Sequence, residues 1–369
     1  MKRYDAFIII FLLLFYFVLL FAFKRHVFTY NFELNLITRF LHSQSIPHEV
    51  AGRIFLSDED VYIASGYLHA AGNDPTSFVF EHPPLIKYLF GISILLFNNP
   101  YWIQIAFGIL FIILTYLLGK YAFKKTVISV LACLFLIIDP LFLDVSGQAL
   151  LDLGQAVFSL AYLIAFLYFP GNIILQGIIL GFFASSKFWP AALFFFLVLN
   201  FFDFLRNKKV KSKKVFLTLF VAFIVFSMTY LKTFLIKGFS FNIVLFEMKM
   251  LKYWFDHSVS TYPFASLILF LSGFFKTWWG EKEIIRSNIY SILWPLLFII
   301  SIVQTIRLRK INHKTLVYAL PIIYLLYLGV QAPFPRYFII VLPYFYLSLS
   351  SFLFEVFFVR NKYKRGRQD

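Results

Sequence analysis

Apolar runs separated by short cationic breaks occupy most of this chain and predict a bundle of membrane helices. The first run, 6–23, has a charged start and is followed by Lys24-Arg25-His26 instead of a small-residue cleavage site. It therefore reads as a retained helix. The polar stretch 24–100 predicts a long first extracytoplasmic loop. Ser57 and Asp58 are good N-cap residues for a short helix over 62–71. The stretch 85–97 is apolar but too short to span, so it lies at the interface or dips in.

Further spans are predicted at 101–123, 127–138, 153–169, 215–236, 289–306, 316–330 and 337–359. The run 173–202 is long enough for one span, yet Ser185-Ser186-Lys187-Phe188-Trp189-Pro190 sits at its centre. A lysine and a proline there predict two half-helices meeting within the membrane. A second outer segment, 237–288, holds one short apolar stretch, 266–275. The expected architecture is all-α and polytopic, with about ten membrane segments. It forms a single integral membrane domain, 1–369, with no internal repeat and no separate soluble domain.

Composition agrees: the 369 residues are 61% hydrophobic and 14% charged, with a mean hydropathy of +0.80. The net charge of +16 would suit nucleic acid, but the cations sit in short loops. They are Lys2 and Arg3, then Lys120, Lys124 and Lys125, then 206–214, then Arg307, Arg309, Lys310 and Lys314, and the tail 360–367. This pattern makes those loops and both termini cytoplasmic, in what reads as a prokaryotic cell membrane, and excludes a nucleic-acid footprint. Asp58, Glu59, Asp60, Asp74 and Glu81 then face the opposite side. The single Cys133 excludes an intrachain disulfide.

Three adjacent carboxylates close to a bilayer are costly and point to a site. The plain alternative is an acidic helix start favoured by the helix dipole. Asp58 and Tyr62 lie four apart and share a helix face, and a carboxylate there can act as a general base. Asp139, Asp144 and Asp152 gather at helix ends, where helix stops and caps explain them equally well. Lys187 needs an anion or a wet cavity in mid-span, and phosphate is the natural anion. Arg336-Tyr337 is either an interfacial anchor or a second phosphate cation. Trp278-Trp279 and Tyr262-Pro263 suit an aromatic belt or a sugar platform. His82 and His257 lack partners at metal-ligand spacing, so no zinc site is expected.

These residues resemble a known family. Asp58-Glu59-x-x-Tyr62 followed by His82-Pro83-Pro84-Leu85-x-Lys87 resembles the dolichyl-phosphate-mannose–protein mannosyltransferases and their prokaryotic relatives. These are GT-C class glycosyltransferases, a class that includes the lipid A aminoarabinose transferases. Ser146-x-x-x-Leu150-Leu151-Asp152, Leu180-Gly181-x-x-x-Ser185-x-Lys187 and Arg336-Tyr337 with Pro343 are similar to later motifs of the class.

The resemblance implies an inverting transfer of a sugar, mannose first, from a polyprenyl- or dolichyl-phosphate carrier. The acceptor is a protein or glycolipid on the extracytoplasmic face. Asp58 would be the base and Glu59 would orient the acceptor. Lys187, Arg336 and Lys87 would hold the donor phosphate, and Tyr62, His82 and Asp152 the acceptor or sugar. No cofactor is implied, although Asp58, Glu59 and Asp152 could bind a divalent metal.

The chain departs from the family where Gly147 replaces an arginine and Ile86 a glycine, and it carries no carboxy-terminal soluble domain. Two rivals stay open. A lipid-linked sugar flippase or transporter would show midplane binding groups and often an inverted repeat. A non-catalytic partner subunit would account for Gly147.

The cation pattern predicts that an impermeant thiol reagent labels Thr76→Cys but not Ser212→Cys in intact cells. The reverse labelling would place the acidic motif on the cytoplasmic side.

Overall fold

The computed structural model describes residues 3–46, 53–209, 212–257, 262–277, 283–308 and 310–359. The cationic tail and Trp278-Trp279 lie outside the described residues. Helix α1 (Arg3–Phe23) is followed by α2 (His26–Thr29), α3 (Asn35–Leu41), α4 (Asp58–Ala70) and α5 (Leu85–Phe97). The expected first outer loop is thus largely helical, because α4 and α5 have apolar faces to bury. Val61, Ile63 and Ala64 of α4 and Ile86, Phe90 and Ile94 of α5 are all buried.

Next come α6 (Tyr101–Phe123), α7 (Thr126–Ile138), α8 (Pro140–Ser146) and α9 (Leu151–Tyr168). Then follow α10 (Ile173–Ser186), α11 (Trp189–Asn207), α12 (Ser212–Met228), α13 (Leu231–Lys237) and α14 (Ile243–His257). The remainder holds α15 (Ala265–Ser272), a two-stranded antiparallel hairpin of β1 (Phe274–Lys276) and β2 (Ile284–Arg286), α16 (Trp294–Arg307), α17 (His313–Tyr327) and α18 (Leu342–Phe354).

Among the described residues five helices are long and apolar enough to cross a membrane. The number is seven if α7–α8, bent by 66°, and α12–α13, bent by 62°, each count as one span. Hydropathy alone leads to a higher number because α10, α16 and α18 are apolar yet shorter than a bilayer crossing.

The chain divides into two compact units. One comprises Leu20–Ile109 and Val145–His257. In it α4 and α5 cross backbone to backbone. A Cβ at Gly91 would lie 2.0 Å from the Gly66 carbonyl oxygen, and one at Gly66 2.5 Å from the Lys87 carbonyl oxygen. Helices α10 and α12 approach as closely through Gly177 and Gly181, whose added Cβ atoms would meet Val221 at 2.5 Å and Val225 at 2.6 Å. Small residues four apart are the usual means of close helix packing in lipid. Asp74 ties the segment before α5 to α13: Thr233 donates to it at 2.7 Å and Lys237 pairs with it at 2.9 Å. Burial would raise the Asp74 carboxyl, but hydrogen bonds from Lys237, Thr233 and Thr76 outweigh it and hold the group at about 2.

The other unit comprises Met1–Leu19, Leu110–Asp144 and Ser258–Asp369. Its buried polar centre is Asp139, between α7 and α8. One carboxylate oxygen caps α8 by accepting from Leu141 N at 2.8 Å and Phe142 N at 3.4 Å. The other accepts from Trp294 Nε1 at 3.1 Å and the Tyr346 hydroxyl at 2.5 Å. Asp139 is thus a helix cap that also binds α16 and α18. Near the N-terminus, Asp5 accepts from Tyr116 and Lys120 at 2.6 and 2.7 Å.

The α4–α5 crossing leaves no room for a methyl group. Gly91→Ala is expected to cost roughly 1–3 kcal/mol through overpacking, read as a lower thermal midpoint of the purified protein in detergent. A wild-type midpoint would show that the helices separate freely.

Candidate active site

The acidic motif opens α4. Ser57, in extended conformation, accepts from Asp60 N at 3.1 Å, and Asp58, Glu59 and Asp60 fill the first turn, where the helix dipole favours carboxylates. The three then part company. Glu59 turns inward, and its Oε1 accepts from the Tyr101 hydroxyl at 2.6 Å and from Ala149 N at 2.7 Å. Asp58 stays exposed. It is the most exposed carboxylate of the motif, while Glu59 ties the helix start to the turn before α9.

The second centre is the break between α10 and α11. Pro190 sits in the first turn of α11, where its missing N–H does no harm. Lys187 and Phe188 leave helical geometry, which strips the Lys187 carbonyl of a helical partner inside an apolar bundle, while the Phe188 carbonyl still accepts from Ala191 N at 3.1 Å. The structure supplies others. His82 Nδ1 donates to the Lys187 carbonyl at 3.1 Å, and Gln155 Nε2 donates to the Phe188 carbonyl at 3.2 Å. The Lys187 ammonium donates to Asp152 Oδ1 at 2.5 Å, and both side chains are buried. Asp152 and Gln155 are three apart in the first turn of α9, so one helix face serves the ion pair and one carbonyl.

His82 connects the two centres. Its ring lies 5.7 Å from Tyr62, edge-on, and 5.1 Å from Trp254. Trp254 donates to the Glu81 carbonyl at 2.7 Å and packs against Phe188 at 5.7 Å. Burial pushes the Glu81 carboxyl up from its usual range; nearby Lys87 opposes this and Asp58 adds to it. Glu81 was legible in sequence only as one more outer-face carboxylate, and Trp254 carried no local signal.

Seven of the eight residues nominated from sequence thus fall in one unit: Asp58, Glu59, Tyr62, His82, Lys87, Asp152 and Lys187. Two of them take positions the sequence did not foresee. The Lys87 ammonium is fully buried and donates to the carbonyls of Val79 at 2.7 Å and His82 at 2.8 Å. It holds the loop in place of an anion, around Val79 with its positive φ of 49°. Lys187 has a carboxylate beside it where a phosphate was expected. The eighth, Arg336, belongs to the other unit, where its guanidinium lies 4.8 Å from the Phe334 ring centroid. Among the described residues, no three His, Cys, Asp or Glu side chains are placed to share a metal ion.

No family model and no curated protein matches the sequence. Solved structures do match in fold. ArnT from Cupriavidus metallidurans, bound to undecaprenyl phosphate, superposes with a TM-score of 0.62 at 15% identity, over 86% of this chain and 58% of that one. The apo state of the same protein gives 0.60 at 15% identity, over 85% and 57%. The Archaeoglobus fulgidus oligosaccharyltransferase in its apo form gives 0.57 at 15% identity, over 99% and 52%. The chain spans a little over half the length of each. At this identity the likeness is one of fold alone.

The ion pair at the break changes what a Lys187 variant will do. Lys187→Met would leave Asp152 buried without its ammonium, which costs roughly 3–5 kcal/mol. Thermal unfolding in detergent should show that loss, and Lys187→Met/Asp152→Leu should recover most of it. A single variant as stable as wild type would mean the pair is not a structural requirement.

Proposed function

We propose, on the premise of a shared GT-C fold, that this protein transfers a sugar from a polyprenyl-phosphate carrier to an acceptor hydroxyl at the membrane surface. The observation that carries the reading is the exposed Asp58 on a rigid helix start, joined through Tyr62 and His82 to the polar break at Lys187. A lipid-linked donor explains why such a site is built within a bilayer protein. The acceptor oxygen attacks the anomeric carbon while its proton passes to Asp58. The bond from that carbon to the phosphate oxygen breaks with its electron pair, and polyprenyl phosphate leaves. One displacement inverts the anomeric configuration.

Glu59, held by Tyr101 and Ala149, keeps the first turn of α4 in place and so aims Asp58. Lys187 supplies positive potential at the break, tempered by Asp152. A cavity of about 270 Å³ beside the break suits part of the polyprenyl chain. Leu180, Ala184, Trp189, Phe226, Ile243 and Glu247 are among its lining residues. Its one carboxyl group, Glu247, accepts from the Tyr230 hydroxyl at 2.6 Å. Burial pushes that carboxyl up to about 7, so it approaches neutrality in this apolar setting. The resemblance of the Asp58 and His82 motifs to the protein mannosyltransferases favours mannose as the sugar and a protein or glycolipid as acceptor. The fold likeness to ArnT favours a bacterial-type polyprenyl carrier as readily as a dolichyl one.

Asp58→Asn keeps the shape of the side chain and removes the base. Turnover with labelled polyprenyl-phosphate mannose is expected to fall roughly 10²- to 10⁴-fold, or about 3–5 kcal/mol of barrier. Asp60→Asn should be milder. Normal transfer by Asp58→Asn in a reconstituted assay would remove Asp58 as the base.

A further inference from the structure

Helices α10 and α12, packed closely through Gly177 and Gly181, contribute to two cavities that use different faces of α12. The one beside the helix break carries a carboxyl group, Glu247. The second, of about 570 Å³, lies between α5, α10, α12 and α13, and the charged residue lining it is Lys232. Its walls are otherwise mostly apolar, with Ile178 and Phe182 supplied by α10. Met228 and Leu231 also line it and are 57% and 45% exposed, so it opens among apolar side chains that lipid would cover. Lys232 is half-buried, and its ammonium lies 3.6 Å from where a Cβ on Gly72 would stand, just past α4. Tyr88 of α5 lines the same cavity, and its ring lies 5.5 Å from His69 in the last turn of α4. Both polar groups therefore sit by the end of α4. Neither the Lys232 ammonium nor the Tyr88 hydroxyl has a hydrogen-bond or ion-pair partner among the described residues.

An apolar body, a mouth among lipid-facing side chains and an unmatched cation suit an amphiphile with an anionic head. We propose that this cavity holds one bilayer phospholipid of net negative charge. Its phosphate accepts from the Lys232 ammonium and the Tyr88 hydroxyl, and an acyl chain lies along α10 and α12. The phosphate is not the donor's. Helix α4 is 13 residues long and Asp58 opens it, so the Lys232 end lies about 20 Å from the acidic motif, beyond the reach of one displacement. Helix α13 also gives Thr233 and Lys237 to Asp74, on the segment that runs to Glu81 and His82. The bound lipid thus braces α13 and, through it, the approach to the site. None of this rests on the glycosyltransferase reading. The plain alternative is that Lys232 answers the negative end of the α4 dipole. That role needs no cavity and does not discriminate between lipid headgroups.

The test places the full-length protein in nanodiscs of equal phosphatidylglycerol and phosphatidylcholine, and native mass spectrometry counts the lipids it keeps on release. Wild type should keep one phosphatidylglycerol. Lys232→Met should lower the preference over phosphatidylcholine about tenfold to a hundredfold, as expected for one charge-assisted contact. Lys232→Arg should retain most of it, and Tyr88→Phe should lose a smaller part. Met228→Trp plugs the exposed mouth, leaves every polar group in place and should lose the bound lipid. Lys249→Met removes an exposed cation of α14 outside the cavity and should change nothing. Wild-type retention by either Lys232→Met or Met228→Trp would overturn the site, as would a wild type that keeps both lipids equally. An equal loss in Lys249→Met would reduce the effect to surface charge and also overturn it. Displacement of the phosphatidylglycerol by equimolar undecaprenyl phosphate would give the cavity to the donor and overturn the choice of a bilayer lipid.

Discussion

Everything in the site-bearing unit answers to one demand: a helix broken inside an apolar bundle must find partners for the carbonyls that the break exposes. Water is scarce there, and an unmet backbone group costs several kcal/mol. Side-chain partners come from two distant places, His82 in the loop before α5 and Gln155 near the start of α9, and Ala191 N adds a backbone donor to the Phe188 carbonyl. The charge at the break adds a second demand, met by Asp152 one helical turn from Gln155. The loop that bears His82 is in turn held by Lys87, and its other wall is Trp254. The chemistry-bearing residues are therefore gathered by the need to satisfy one irregular stretch of backbone.

The two buried lysines show alternative solutions to the same electrostatic problem. Lys187 is neutralised by a carboxylate, which leaves a compact dipole at the break. Lys87 is met by carbonyl oxygens, which stabilise its charge without cancelling it. The carboxylates of α4 sort themselves in a similar way. Glu59 spends its lone pairs on a tyrosine and a backbone N–H, while Asp58 keeps its face to the exterior. Burial and hydrogen bonding thus give different tasks to residues that look alike in sequence.

Local signals were the legible ones. Ser57 and the acidic turn placed a helix start correctly, and Lys187 with Pro190 marked the helix break. The apolar runs located the membrane helices, but hydropathy registers apolarity and not helix length, so α10, α16 and α18 read as spans although each is shorter than the five long helices. Lys87 was read as a ligand cation because a sequence shows a charge without its direction. The contact of the Lys24 stem with Gly147 was hidden because the residues are far apart along the chain and a glycine appears only as an absence. Asp139 is the opposite case: its proximity to Pro140 suggested a simple helix stop, yet it also secures Trp294 and Tyr346 from much later in the chain.

The contact between Trp254 and the Glu81 carbonyl closes a loop of 173 residues, and that between His82 and the Lys187 carbonyl one of 105. Contacts so remote in sequence cannot form while the early helices are being inserted. A nascent chain that has delivered α4 and α5 holds Glu59 and the His-Pro-Pro loop before Tyr101, Ala149, Lys187 and Trp254 exist, whereas Lys87 already has its two carbonyls. The late indole is thus one of the last groups to close the site. A chain that ends before Trp254 carries the whole acidic motif yet lacks one wall of the site.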